Sequence, residues 1–371
     1  MPTTSRSRIM LATAATAATA ATAAVLASLT AVAYALPQAT EAAAHAEPSA
    51  EPLAGLRVLL SNDDSMQAAK ASHADGLGLY EMRKALCAAG ADVVVMAPWQ
   101  VQSGKGTAVT NGGALTLARR TRLPAGYEND CSGVPSGSPV YGVCLSDDAC
   151  GAGTPSATPA DTVKFALRSG LAAKVGWADG PDVVVTGINS GPNVSAQVND
   201  SGTVGAAVAA IDDGVPAIAF SSSSGDSTNT YFPVANYRDN AEFGARLLAG
   251  MRERSLFTGK FAVKVDYPDV SGGRRAKPPL WTGIGHGKVV WHDYAARRGS
   301  GDTFDIVPGV CADRPGDSCT ETVRRADSTA LLSGHVAVAP VTADRTYGAI
   351  VDGGKNLRKL KHYVEQDAPR P

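Results

Sequence analysis

Continuous apolar runs, separated by segments of helical length, recur from Leu56 onward and dictate a layered α/β fold. The runs are Arg57-Val58-Leu59-Leu60, Asp92-Val93-Val94-Val95-Met96-Ala97-Pro98, Pro181-Asp182-Val183-Val184-Val185-Thr186-Gly187, Pro216-Ala217-Ile218-Ala219-Phe220 and Phe261-Ala262-Val263-Lys264-Val265. A strand with one face in water alternates apolar and polar residues, whereas a strand covered on both faces does not. Between the runs, residues 75–89, 160–174, 202–213 and 236–251 carry apolar side chains at helical spacing, as in Leu79, Met82 and Leu86. Gly90 stands where a helix C-cap glycine belongs. This alternation predicts a Rossmann-like, doubly wound, mostly parallel sheet over residues 56–265.

Two stretches break the rhythm. Residues 121–157 are rich in Gly, Ser, Pro and Cys and read as a surface insertion. Residues 266–371 read as a smaller β-rich extension with Trp281 and Trp291, a closing strand at Val336-Ala337-Val338-Ala339-Pro340, and a C-terminal segment.

The N-terminus carries Arg6 and Arg8, then an uncharged Ala-rich run from Ile9 to Ala35. A basic start, an apolar middle and a small-residue exit are the parts of a secretory signal. The reading is a signal peptide over residues 1–35, a disordered leader over 36–55, and a secreted mature protein. Cleavage after Ala35 or after Ala46 both satisfy the small-residue rule, and a retained membrane anchor is the alternative. No later run is long enough to span a bilayer, so no membrane contact is expected after cleavage.

Six cysteines agree with export. Cys311 and Cys319 close a short loop and are the best pair. Cys131, Cys144 and Cys150 crowd one segment, which implies at least one bridge among them. Cys87 lies on an apolar helix face and reads as core. A zinc site lacks both a C-x-x-C and a nearby histidine.

The 34 basic and 35 acidic side chains give a net charge of -1, and aromatics make up 6%. Neither supports binding to a nucleic-acid polymer. A G-x-S-x-G elbow, a P-loop and a dinucleotide fingerprint are absent from the sequence.

In a doubly wound sheet, ligands sit outside the carboxyl ends of the strands. Here those ends carry Asn62, Asp63 and Asp64; then Gln102, Ser103 and Gly104; then Asn189, Gly191 and Asn193. Adjacent carboxylates with amide and hydroxyl oxygens suit a hard divalent cation. Asp200-Ser201-Gly202-Thr203 at a helix start can offer donors to a phosphate or simply cap the helix. His73 is the histidine nearest the aspartate pair in sequence.

With those residues in view, the chain resembles the SurE family of metal-dependent 5'/3'-nucleotidases. The resemblance runs through Ser61-Asn62-Asp63-Asp64, Ala97-Pro98 with Ser103-Gly104, and Thr158-Pro159-Ala160-Asp161. Its most specific block is Pro181 to Asn193 followed by Ser201-Gly202-Thr203-Val204. It implies a phosphomonoesterase with one divalent metal ion, Mg²⁺ or Mn²⁺ first and Ca²⁺ as the alternative. Asp63 and Asp64 would be catalytic, and Asp63, Asp64, Ser103 and Asn189 would be the metal ligands. Asn62, Asn193, Ser201, Gly202 and Thr203 would line the phosphate pocket, and Asp344 matches a family aspartate near the site. The implied partners are a small phosphorylated substrate and further copies of the chain, as a homodimer or tetramer. Other small phosphoesters or polyphosphate are alternative substrates, and a catalytically weak binding protein is the rival role.

Departures from the family pattern are specific. Ser65 replaces the glycine after the aspartate pair, and Ser195-Ala196-Gln197 replaces a Gly-Asp-Asp stretch. An N-x-N-x-P strand end reads Lys264-Val265-Asp266-Tyr267-Pro268, and Gly348 lies near the place of a family histidine.

Overall fold

In a computed structural model, residues 51–311 and 319–344 are described, together with Lys359 and His362. The proposed signal and most of the proposed leader lie outside the described residues. The leader's last residues do not match expectation. Leu53 is fully buried and its N–H donates to Ala89 O at 2.8 Å, so 51–55 belong to the fold.

The first strand, β1 (Arg57–Ser61), leads through α1 (Leu77–Ala88) to β2 (Asp92–Pro98). Then come β3 (Leu115–Arg119), β4 (Val140–Leu145), α2 (Pro159–Phe165), a π turn and α3 (Leu171–Val175). The second half runs β5 (Val183–Ser190), α4 (Gly202–Asp212), β6 (Ala217–Ser222), α5 (Val234–Glu253) and β7 (Ala262–Tyr267). Last come β8 (Lys277–Trp281), β9 (Val290–Ala296), β10 (Phe304–Val310), α6 (Asp327–Leu332) and β11 (His335–Val341). Among the described residues no helix is long and apolar enough to cross a membrane.

Nine of these strands form one sheet in the order β3-β4-β2-β1-β5-β6-β7-β11-β8. β3 is antiparallel to β4, and β11 is antiparallel to β7; the other neighbours are parallel. From β1 the chain builds outward one way through β2 and the other way through β5. The switch point therefore lies between β1 and β5, and it is outside the strand ends at such a point that doubly wound sheets bind their ligands. β9 and β10 form a separate two-stranded antiparallel sheet.

Both faces are covered, which accounts for the continuous apolar strands. Val58, Leu60, Val93, Val95, Val183 and Val185 pack under α1 and α5. Leu59, Val94, Met96 and Val184 point to the other face, under α2 and α4. At roughly 25 cal/mol per Å² of apolar surface, each fully buried Val or Leu contributes about 1.5–3 kcal/mol.

Local signals set the helix ends. Thr158 Oγ1 accepts Asp161 N–H at 3.0 Å and Asp161 reaches back to Thr158 N, a capping box with Pro159 at the first helical position. Gly90, at φ +94°, follows α1 and donates to Cys87 O at 2.9 Å.

The surface-insertion reading of residues 121–157 fails in part. β4 lies inside that segment, nearly all of it buried between β2 and β3. Its six-residue apolar run, Val140 to Leu145, is short and flanked by turn formers, which concealed it. Cys87 is likewise more than core: it is bonded to Cys131, joining α1 to the 121–139 loop. Cys144–Cys150 and Cys311–Cys319 complete the bridges.

Candidate active site at the topological switch point

The turn after β1 is built by Asn62. Its Oδ1 accepts Asp64 N–H at 3.2 Å, its Nδ2 donates to Ile188 O at 3.0 Å, and its carbonyl accepts Ser65 N–H at 3.0 Å. An Asx-type turn of this kind takes the chain abruptly off the strand, with Asp63 and Asp64 as its next two residues. Asn62 is fully buried with both ends of its amide engaged, so it braces the turn. Ser65 sits at φ +74°, the region its family counterpart glycine favours, and its Oγ accepts Gln67 N–H at 3.1 Å.

Asp63 and Asp64 are both nearly fully buried. Asp63 Oδ1 accepts the hydroxyl of Thr203 in a short hydrogen bond. Asp64 Oδ2 accepts Ser190 N–H at 2.6 Å and Ser190 Oγ–H at 2.8 Å. Burial pushes the Asp63 carboxyl up to about 6, against the opposing pull of Thr203. Asp64 is also raised, by burial first and by the neighbouring Asp63 second. Two buried carboxylates in sequence are costly unless a cation or donors share their charge.

β5 supplies the facing residues. Gly187 has φ +110°, and a Cβ there would stand 2.1 Å from Phe220 O, so only glycine fits. Asn189 Nδ2 donates to Gly191 O at 2.8 Å, which leaves Oδ1 as the uncommitted end of the amide. Asn193 N–H donates to Asp266 Oδ1 at 2.7 Å, and its Nδ2 donates one hydrogen to Ser221 Oγ at 2.8 Å.

α4 closes the site. Ser201 Oγ accepts Val204 N–H at 3.0 Å and acts as the helix cap. Gly202 packs so closely that an added Cβ would lie 2.8 Å from Asp63 Cβ and Oδ2. Thr203 is fixed from both ends, since its carbonyl accepts Thr186 Oγ1–H at 2.8 Å. Ser103 is exposed, one residue beyond Gln102, whose N–H donates to Asp63 O at 2.7 Å.

Asp63, Asp64, Gly202 and Thr203 are thus in one cluster, with Ser103 and Asn189 on segments tied to it. Asp344 instead lines a cavity of about 270 Å³ with Ser201, Asn199 and Gly106. His73 Nδ1 bonds Phe232 O at 2.9 Å and its ring faces Tyr231, which makes it a clamp between the 70s loop and the start of α5. Sequence reasoning missed Ser190, which stands between Asn189 and Gly191 in the most specific block and holds Asp64 by two donors.

The donor set fits a hard cation. Among the described residues no group of three or more His, Cys, Asp or Glu side chains converges on one point. A bound ion would therefore depend on the two carboxylates plus amide and hydroxyl oxygens, the ligand types of Mg²⁺ and Mn²⁺.

The chain is similar to known proteins in both sequence and fold. Residues 58–289 match the family model described as "Survival protein SurE". The chain is 32% identical to the 5'-nucleotidase SurE of Nitratidesulfovibrio vulgaris strain Hildenborough, over 78% of this chain and 95% of that protein. It is 31% identical to the 5'-nucleotidase SurE of Geotalea daltonii, over 78% and 94%, and 30% identical to that of Deinococcus radiodurans, over 81% and 92%. The fold is shared with the crystal structure of the SurE protein from Aquifex aeolicus, with a TM-score of 0.53 and 24% identity over 84% of this chain and 100% of that one. With its family model, its relatives and its fold in accord, the chain belongs to the SurE family.

Proposed function

We propose that this protein is an exported, divalent-metal-dependent phosphomonoesterase that hydrolyses nucleoside 5'- and 3'-monophosphates to nucleoside and phosphate. The buried Asp63–Asp64 pair at the switch point carries the reading. Relatives named 5'-nucleotidase SurE, matched over most of their length, supply the substrate class.

In this reading Asp63, Asp64, Ser103 and Asn189 hold the ion. A divalent ion held there would polarise a phosphoryl oxygen and lower the pKa of a water. Asp63, with Oδ1 held by Thr203, directs Oδ2 toward the attacking water. Asp64 is kept in one orientation by Ser190. Asn193 keeps one Nδ2 hydrogen for a phosphate oxygen, where a preset donor stabilises the charge that builds in the transition state. Asn62, Ser201 and Thr203 support these groups.

Phosphate release should be measured on 5'- and 3'-nucleoside monophosphates, sugar phosphates and short polyphosphate, each with Mg²⁺ or Mn²⁺. Faster release from the nucleotides supports the reading. Preference for sugar phosphates or polyphosphate would move the substrate class and keep the reaction. Export is tested by N-terminal sequencing of protein from culture medium, with Leu36 or Glu47 expected as the first residue.

A further inference from the structure

Beneath Asn193 lies a buried charge cluster to which the reaction assigns no step. Lys264 on β7 is fully buried, as are Asp266 on the same strand and Asp327 at the start of α6. Lys264 Nζ makes a short ion pair with Asp266 Oδ2 and a second, at 3.0 Å, with Asp327 Oδ2. Both carboxylates also accept from loop backbone, and Asp327 accepts in addition from Ser328 N–H in its own helix. Asp266 Oδ1 accepts Asn193 N–H at 2.7 Å. Asp327 Oδ1 accepts Ser195 N–H at 3.1 Å and Gly285 N–H at 3.0 Å.

One ammonium therefore gathers three pieces of chain: β7, the 191–195 loop, and the loop that enters from the extension. The fit between the last two is close. A Cβ on Gly285 would stand 2.2 Å from Ser195 Oγ and 2.0 Å from Glu321 Oε2. Ser195 itself is at φ +52°, a conformation that surrounding contacts must hold. Replacing a buried ion cluster by apolar groups is often neutral for stability, so mere cohesion is a weak account of it. Losing only the cation would leave two buried carboxylates without a counter-ion, one of them bonded directly to Asn193.

We propose that Lys264 is a positioning residue for the phosphate site, acting through Asp266 on Asn193 and through Asp327 on Ser195 and the 283–287 loop. It keeps both carboxylates fixed as acceptors and offsets one of their two negative charges beneath a site that receives an anion. This rests on the phosphomonoesterase reading for its kinetic half only; the loop-holding half stands on geometry.

The test has two readouts on the full mature protein. The first is amide hydrogen exchange without substrate. Lys264→Met should speed exchange at both Asn193 and Ser195 by about tenfold or more, since the carboxylate that accepts from each loses the counter-ion that fixes it in place. A second variant, Lys264→Asn with Asp266→Asn, keeps an acceptor under Asn193 without burying a charge. It should leave Asn193 protected and speed exchange at Ser195 and Gly285 alone. The second readout is a kinetic cycle with Asn193→Ala. Lys264→Met should raise KM more than it lowers kcat in the native background. In the Asn193→Ala background it should change KM by less than about twofold, because contacting groups are not additive. Unchanged exchange at Asn193 and Ser195 in folded Lys264→Met, or an equal KM effect in both backgrounds, overturns the proposal. A wild-type protein that releases no phosphate overturns the phosphomonoesterase reading instead, and the exchange result then decides the positioning role alone.

Discussion

Thr203 donates its hydroxyl to Asp63 Oδ1 across 140 residues of chain, joining the first turn of α4 to the turn after β1. That bond commits Oδ1 and fixes the orientation of the Asp63 carboxylate. Thr203→Val keeps the shape and removes the donor. A hydrogen bond to a charged group contributes about 1.5–3 kcal/mol, and the same loss in the transition state is a drop of about ten- to a hundredfold in phosphate release. Steady-state kinetics on the folded variant checks this; an unchanged kcat/KM contradicts it.

Gly202 is constrained by space. An added Cβ would lie 2.8 Å from Asp63 Oδ2 and 2.9 Å from Pro159 Cγ. Gly202→Ala should destabilise the fold by about 1–3 kcal/mol, the usual range for overpacking. It should also reduce activity by more than Thr203→Val does, since the methyl displaces the carboxylate itself. Denaturant unfolding and kinetics on one preparation read both effects.

Much of the fold was legible because strand burial and helix period are properties of short segments. Six of the nine strands of the main sheet, and α1, α2, α4 and α5, follow from continuous apolar runs and 3.6-residue spacing, whereas α6 was not foreseen. β4 was hidden because its apolar run sits among Gly, Ser, Pro and Cys. The aspartate pair was legible from its position at a strand end. The roles of Asn62 and Ser201 were not, because a polar residue at a strand or helix end reads equally well as a brace or as a ligand-binding group. The hydrogen-bond partners are what reveal the bracing role. Asp266 and Asp327 are far apart in sequence, and nothing local marks them as sharing Lys264.

Glu321 gives the fold a dependence on acid. Burial pushes its carboxyl up, but N–H donors from Val323, His286 and Gly287 and the Ser195 hydroxyl outweigh that and hold it at about 2. The ordinary glutamate value is 4.5, so between the two the unfolded chain binds the extra proton. Its stabilisation is therefore complete above about pH 4.5 and is lost as pH falls toward 2. Glu321→Gln should narrow the difference in Tm between pH 6 and pH 3. An identical difference in wild type and variant contradicts this account.

The Cys87–Cys131 bridge closes a segment of 44 residues between α1 and the 121–139 loop. Closing a loop of that length restricts the unfolded chain by about 4 kcal/mol. Serine at both positions should lower the unfolding free energy by that order under non-reducing conditions. Titration of free thiols in the native protein checks that the cysteines are all bonded, with none expected, and non-reducing peptide mapping checks that Cys87 is joined to Cys131.

The most direct measurement is phosphate release from a nucleoside monophosphate by wild type and Asp63→Asn, each with Mg²⁺, with Mn²⁺ and with EDTA, alongside Tm for every sample. The account predicts release by wild type with metal, none with EDTA, and a loss of at least about a hundredfold in Asp63→Asn, a metal-ligand and catalytic change. It also predicts that Asp63→Asn raises Tm in EDTA, by relieving a buried charge worth about 1–3 kcal/mol, and that added metal stabilises wild type more than the variant. Release that survives EDTA, or an Asp63→Asn protein as active as wild type, would contradict the assignment of the buried aspartate pair as the catalytic centre.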